Sequence, residues 1–196
     1  RVKSKRKLSI PVDLPAFTLN SLTLRAFNAF YYWAGARKTG VQLVDWDSYF
    51  YPLDAILGWN RIYGSKGFAQ FQCALPLDCS EAGLTALLAE IAKAGSGSFL
   101  AVLKRFGKQD GAFSFPMEGY TLALDFPVNT KTLELLGRLD QITLDHGGRF
   151  YLAKDSRMSA ATLRASDPRV ADFHAHRMSQ GLASRFVSAQ AERLAL

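Results

Sequence analysis

Two glutamines two residues apart, Gln70 and Gln72, followed by Lys104, Asp125 and Lys154, are the side chains best placed to do chemistry together. Each sits at an alternate position of a strand-like run, so alternation puts all of them on one face of a sheet. Amides offer donors and acceptors without charge; a lysine holds anions as its ammonium or, where burial lowers its pKa, takes up a proton as its neutral amine. Other candidates fare worse. His174-Ala-His176 puts two imidazoles on different faces of a helix, unlike the i, i+4 pair of a zinc helix. With three histidines and two cysteines in the chain, no metal site is expected. Gly95-Ser-Gly97 reads as a turn rather than a phosphate cradle, and no nucleophile motif surrounds Ser156.

The elements that must carry these residues repeat. A strand at 67–76, a helix capped by Ser80 and running to about Ala94, and a strand at 98–106 make the first pass. A strand at 120–126, a helix from about Thr130 to Asp145 and a strand at 149–154 make the second. Each pass opens on Gly-aromatic, ends its first strand at a proline (Pro76, Pro127) and follows its helix with glycines (Gly95, Gly97; Gly147, Gly148), where a left-handed cap is needed. The fold class is therefore α+β: a ferredoxin-like βαββαβ antiparallel sheet with helices on one face. Helical extensions flank it. One runs from Leu22 to Trp33, capped by Asn20 or Ser21 and ending near Gly35. Others lie at 159–165, 168–178 and 188–194. Val41–Asp45 is strand-like, and Pro11 and Pro15 keep the start extended. Residues 1–17 read as a basic leader and 18–196 as one domain with its core at 67–155.

Alternation sorts the strands into two faces. Ala69, Phe71, Cys73, Leu75, Phe99, Ala101, Leu103, Tyr120, Leu122, Leu124, Tyr151 and Ala153 form an apolar side for the helices. Phe68, Gln70, Gln72, Val102, Lys104, Phe106, Thr121, Ala123, Asp125, Phe150, Leu152 and Lys154 form a mixed side. That side suits a solvated sheet face, an RNA platform or an active-site wall. Lys66-Gly-Phe-Ala69 opens like the aromatic ribonucleoprotein signature, but Gln70 stands where an aromatic belongs and the strand is the first rather than the third.

At 48% hydrophobic residues the chain can build a sizeable core, and 12% aromatic residues argue against a disordered chain. The net charge of +7 suits an anionic partner, yet Arg1, Lys3, Lys5, Arg6 and Lys7 place much of it in the leader. Cys73 in a strand and Cys79 in a loop give no disulfide framework, which favours a reducing compartment. No signal-peptide core or transmembrane-length apolar run is present, so a cytoplasmic or membrane-peripheral location is expected. The chain opens on Arg rather than Met, as an excised piece would.

Phe50-Tyr-Pro-Leu-Asp54, Trp59-Asn-Arg-Ile-Tyr-Gly64, Gly67-Phe-Ala-Gln-Phe-Gln72, Phe99 to Gly107, Ser114-Phe-Pro116, Asp125-Phe-Pro127, Gly147-Gly-Arg149 and Lys154-Asp-Ser-Arg157 occur in the order of one family's motifs. The chain resembles the substrate-binding half of FAD-linked sugar oxidases, of the decaprenylphosphoryl-ribose 2′-oxidase type and more distantly the aldonolactone oxidases. The resemblance is densest from Tyr49 to Arg164. It implies a sheet facing the flavin of an N-terminal FAD-binding domain absent from this chain, with a sugar or polyprenyl-phosphate sugar between them. Gln70, Gln72, Lys104, Ala123 and Lys154 match cavity positions in that family, and all fall on the mixed face.

The implied reaction is oxidation of a sugar secondary alcohol to a ketone, with hydride passing to FAD. Lys154 would be the catalytic and cofactor-facing residue; Gln70, Gln72, Lys104, Ala123 and Phe50 would line the substrate site. Tyr49-Phe50-Tyr51 falls where the family has a loop over the cavity. Some members have cysteine at the position of Ala123, and the family's late Ser-Asp is Ser188-Ala189 here. A free-standing binding module for RNA or a small anion is the alternative. Under the oxidase reading no nucleic acid is expected, and the basic leader suits peripheral contact with a membrane.

Overall fold

The computed structural model describes residues 7–15, 18, 21–38, 40–96, 98 and 100–196. The expected cap Asn20, Gly97, Phe99 and the leader's Arg1, Lys3, Lys5 and Arg6 lie outside the described residues. The chain forms two compact units, Arg1–Phe68 and Ala69–Leu196.

The first unit begins with β1 (Leu8–Ser9), followed by α1 (Ser21–Ala36), α2 (Trp46–Phe50) and β2 (Ile56–Leu57). β2 returns parallel to β1, Leu8 opposite Ile56. Next comes a 3-10 helix over Trp59–Tyr63. Its Arg61 donates to the carbonyls of Ile10 (3.2 Å) and Pro11 (2.6 Å), while Leu14 N–H donates to Arg61 O. The proline-containing start is thus pinned by a guanidinium, with a strand at Leu8–Ser9 and a bend at Val12. Val41–Asp45 is irregular rather than a strand, with Val41 and Leu43 fully exposed. An alternating run makes a strand only where a neighbour takes up its hydrogen bonds.

The second unit contains most of β3 (Phe68–Pro76), then α3 (Ser80–Ala94), β4 (Ala101–Phe106), β5 (Gly119–Pro127), α4 (Thr130–Asp145) and β6 (Arg149–Phe150). Helices α5 (Ala160–Ser166), α6 (Val170–Ser179), α7 (Leu182–Arg185) and α8 (Ala189–Leu194) complete it. The sheet order is β4-β5-β3-β6, with antiparallel pairing at both edges. This is the expected ferredoxin-like βαββαβ topology. Asn129 caps α4 by accepting from Thr132 N–H. Ser80 behaves differently from the expected cap. It is the first helical residue, and its hydroxyl donates to Leu75 O and Pro76 O, tying α3 to the end of β3. Gly95 closes α3 in the left-handed conformation at φ 61°.

Phe71, Cys73 and Leu75 of β3 pack with Leu122 and Leu124 of β5 under Leu87 and Ile91 of α3 and Leu135, Leu136 and Leu139 of α4. Truncating any one of these leucines to alanine costs about 2–5 kcal/mol. Burial pushes the Cys73 thiol up to about 12. Two glycines are dictated by close approach. A Cβ on Gly119 would stand 1.9 Å from Leu75 O, and one on Gly148 would stand 2.7 Å from Thr143 Cγ2.

The last strand departs from expectation. Only Arg149–Phe150 pair with β3, and Leu152–Lys154 form a 3-10 turn instead of continuing to 154. Phe150 lies opposite Cys73 and is buried in the core, so Phe150 belongs to the apolar face and Tyr151 to the mixed one. Phenylalanine and tyrosine are too alike in apolarity for alternation to fix that parity. Leu103 has the expected parity, opposite Leu122, yet is 54% exposed, because β4 is an edge strand that the helices leave bare. β4 also starts at Ala101 rather than 98, and the Ser98 hydroxyl accepts from Asp125 N–H where a ladder bond would be.

Candidate functional site

On the open face of the sheet, β5 fixes the two glutamines of β3. Gln70 Nε2 donates to Asp125 Oδ1 at 2.7 Å, and Gln72 Nε2 donates to Thr121 Oγ1 at 3.2 Å. Asp125 and Thr121 are buried at 1% and 2% exposure, so the anchors lie beneath the surface that the glutamines present. With one N–H of each amide anchored inward, the amide carbonyl oxygens accept from no protein donor among the described residues. They are acceptors held ready for a hydroxyl.

A polar row crosses the sheet at this level. Lys104 lies opposite Thr121, Thr121 holds Gln72, and Gln72 O accepts from Tyr151 N–H. Lys104 is exposed on the edge strand; Ala123, opposite Val102, is half-buried. The loop between β4 and β5 covers one end of the face. Phe115 stacks on Tyr151 at 4.7 Å and meets Phe106 edge-on at 5.9 Å, bridging the two outer strands. Arg169 and Arg149 both donate to Ser114 O and peg that loop. Burial, with Arg169 alongside, draws Arg149 below the usual guanidinium value.

Lys154 ends the 3-10 turn and is exposed, and among the described residues it ion-pairs with no carboxylate. It lines a narrow crevice with Gln70, Gln72, Tyr151 and Asp155. Its position is set by Asp155 and the clamp around that residue. Asp155 accepts from Arg157 N–H, Met158 N–H and the Arg193 guanidinium of α8. Burial alone would raise the Asp155 carboxyl, but these donors outweigh it and hold it below the usual carboxylate range. Gln190 of α8 donates to Leu152 O at 2.6 Å. Arg157 then grips both oxygens of Asp140 on α4 at 2.7 Å each.

The structure therefore brings Gln70, Gln72 and Lys154 together around one crevice, with Lys104 and Ala123 on the same face. Phe50 stands in the other unit, exposed and edge-on to Tyr49 at 5.2 Å. Phe150, expected on the open face as a base-stacking aromatic, is in the core, which removes it from any RNA platform. Sequence reasoning missed the positioning residues Asp155, Arg157, Asp140 and Arg193. The Asp-Ser-Arg after Lys154 was a signal, but its partners on α4 and α8 are remote in sequence.

An antiparallel sheet backed by helices, with fixed amides and a free ammonium on its open face, suits the FAD-linked oxidases, and the comparisons bear out that resemblance. Over 193 residues, 96% of its length, the chain is 35% identical to the decaprenylphosphoryl-beta-D-ribose oxidase of Mycolicibacterium smegmatis. Over 146 residues it is 34% identical to an uncharacterized protein of the mprA 5′ region of Streptomyces coelicolor. The chain spans about two fifths of each relative, 41% and 40%. No protein-family model matches it.

Proposed function

We propose that the second unit is the substrate-facing domain of an FAD-dependent oxidoreductase that oxidises a secondary alcohol of a sugar, in the manner of decaprenylphosphoryl-ribose 2′-oxidases. The observation carrying this reading is the pairing of Gln70 and Gln72 with buried Asp125 and Thr121 beside the unpaired Lys154. When bound by a domain outside this chain, FAD accepts the hydride and with it negative charge. The donor set fits such a group: an ammonium with no carboxylate partner can face an electron-rich ring.

Gln70 and Gln72 orient the sugar by accepting from its hydroxyls, and their fixed geometry costs no reorganisation. Lys154 would supply a positive charge that answers the negative charge FAD takes up with the hydride, or would orient the reacting hydroxyl. Lys104, at the sheet edge, is placed for a phosphate on the substrate. Ala123 leaves room without a functional group. The similarity to the mycobacterial enzyme supports a polyprenyl-phosphate sugar ahead of an aldonolactone.

The test is Lys154→Met in the complete flavoprotein. Its far-ultraviolet spectrum and melting temperature stay near those of the parent, because the side chain is exposed. Flavin reduction by a prenylphosphoryl ribose, followed at the flavin absorbance, falls on the order of a hundredfold. Unchanged reduction refutes the role of Lys154; reduction by an aldonolactone alone replaces the substrate class.

A further inference from the structure

The net charge of the chain is not spread over it. Residues 1–44 hold eight Lys and Arg against one acid, Asp13, while residues 45–196 hold sixteen of each sign. The whole excess of +7 therefore belongs to the first 44 residues. Between Asp13 and Asp45 no acidic residue occurs, and Arg25, Arg37 and Lys38 are the basic ones.

The same stretch displays its aromatics. Leu24 is the only buried residue of α1 among those described, while Phe27, Phe30, Tyr31, Tyr32 and Trp33 are exposed, Tyr32 to 79%. Phe27, Phe30, Tyr31 and Ala34 recur at the spacing of one helix face, with Phe27 and Tyr31 stacked at 6.1 Å. Arg25 and Asn28 lie off that stripe. At the helix end the Arg37 guanidinium sits 3.4 Å above the Trp33 ring. No helix among the described residues is long and apolar enough to cross a membrane.

We propose that α1 and the basic residues flanking it lay this unit on an anionic lipid surface, with the Phe27–Phe30–Tyr31 stripe entering the headgroup region. Rings that combine an apolar body with a polar edge favour the bilayer interface, and cations beside them favour anionic headgroups. A helix of 16 residues, about 24 Å long, lies in the plane of such a surface. The absence of acids removes the repulsion that would oppose it. A nucleic acid would also attract the charge, but a duplex offers the apolar Phe27–Phe30 stripe only its phosphate backbone, and a single strand stacking on the rings is an outcome the test separates. This inference stands apart from the oxidase reading, since lipid binding requires neither flavin nor sugar.

The test is co-sedimentation of the full chain with vesicles of phosphatidylcholine containing 30% phosphatidylglycerol, against pure phosphatidylcholine. Binding is expected to the anionic vesicles and to weaken with salt. Arg37→Gln with Lys38→Gln lowers partitioning roughly thirtyfold, about fivefold per charge near the surface. Phe30→Ser with Trp33→Ser lowers it also, and because these side chains are exposed, helix content by circular dichroism is unchanged. Equal binding to both vesicle types, no binding at low salt, or variants that bind like the parent would overturn the proposal. Tighter binding to polyuridylate than to the vesicles, lost in the same variants, would replace lipid by nucleic acid.

Discussion

Replacing Arg157 by methionine keeps the aliphatic stem and removes the charge that answers Asp140. The pair is well buried, its side chains 23% and 10% exposed, and both carboxylate oxygens are held at 2.7 Å. Burial already keeps the Asp140 carboxyl above its ordinary range despite Arg157. Without the guanidinium the carboxylate is stranded, which costs about 3–5 kcal/mol at neutral pH. That corresponds to a drop on the order of 10 °C in melting temperature for a unit of this size.

The pH dependence comes from the raised value. An acid whose folded pKa exceeds its unfolded value of about 3.9 stabilises the fold below that value and loses the contribution as pH rises through the folded pKa. In the variant the folded pKa rises further, so the deficit is greatest at neutral pH and shrinks as Asp140 takes up its proton on acidification. Urea unfolding of parent and variant, followed by circular dichroism at pH 7.5 and 5, measures that difference. A deficit under about 1 kcal/mol at pH 7.5, or one that grows toward acid, would refute the reasoning. Adding Asp140→Leu removes the stranded charge and should restore most of the loss.

Gly119→Ala should cost about 3 kcal/mol or more, because the added Cβ meets a backbone oxygen that cannot move aside. Gly137→Ala, on α4 with open space around it, should instead stabilise by about 1 kcal/mol; thermal melts that rank the two alike would contradict the close approach. Asp155 lies below the usual carboxylate range, because the backbone donors and Arg193 overcome the effect of burial. Its stabilisation is present above pH of about 3.9 and is lost as pH falls through the folded value. Asp155→Asn should therefore lower stability at neutral pH and flatten the acid limb of an unfolding titration; an unchanged limb would remove Asp155 from the account.

Much of this fold was legible because local signals agreed. The glycines and prolines punctuating the two passes, and the apolar sides of β3 and β5, point to one sheet backed by two helices, and Thr130–Asp145 forms its helix at the bounds expected. The polar side of the face was legible too, since Gln70, Gln72 and Lys104 obey period two on strands that exist. Legibility failed where a remote partner decides the backbone. After Phe150 the chain leaves the sheet because Asp155, Arg193 and Gln190 hold it in a turn, and nothing within residues 149–154 reveals those partners. Val41–Asp45 shows the converse, a strand-like pattern with no neighbour to complete it.

The organisation of the open face argues against a merely solvated sheet. A wet face would leave Asp125 and Thr121 in water, where neither would constrain anything. Here both are buried, and each holds a glutamine from the adjacent strand. Burying a carboxylate is unfavourable unless hydrogen bonds replace its water, and an all-apolar pair of strands would avoid that cost. What the arrangement gains is two amides, each anchored inward through one N–H and with its oxygen fixed in place. A surface that must distinguish the hydroxyls of one sugar from those of another needs that kind of pre-set acceptor. The ammonium beside them is held differently, by a turn clamped from α4 and α8. The two glutamines therefore take their positions from the sheet and Lys154 from the helices behind it, so each can be altered without dismantling the other.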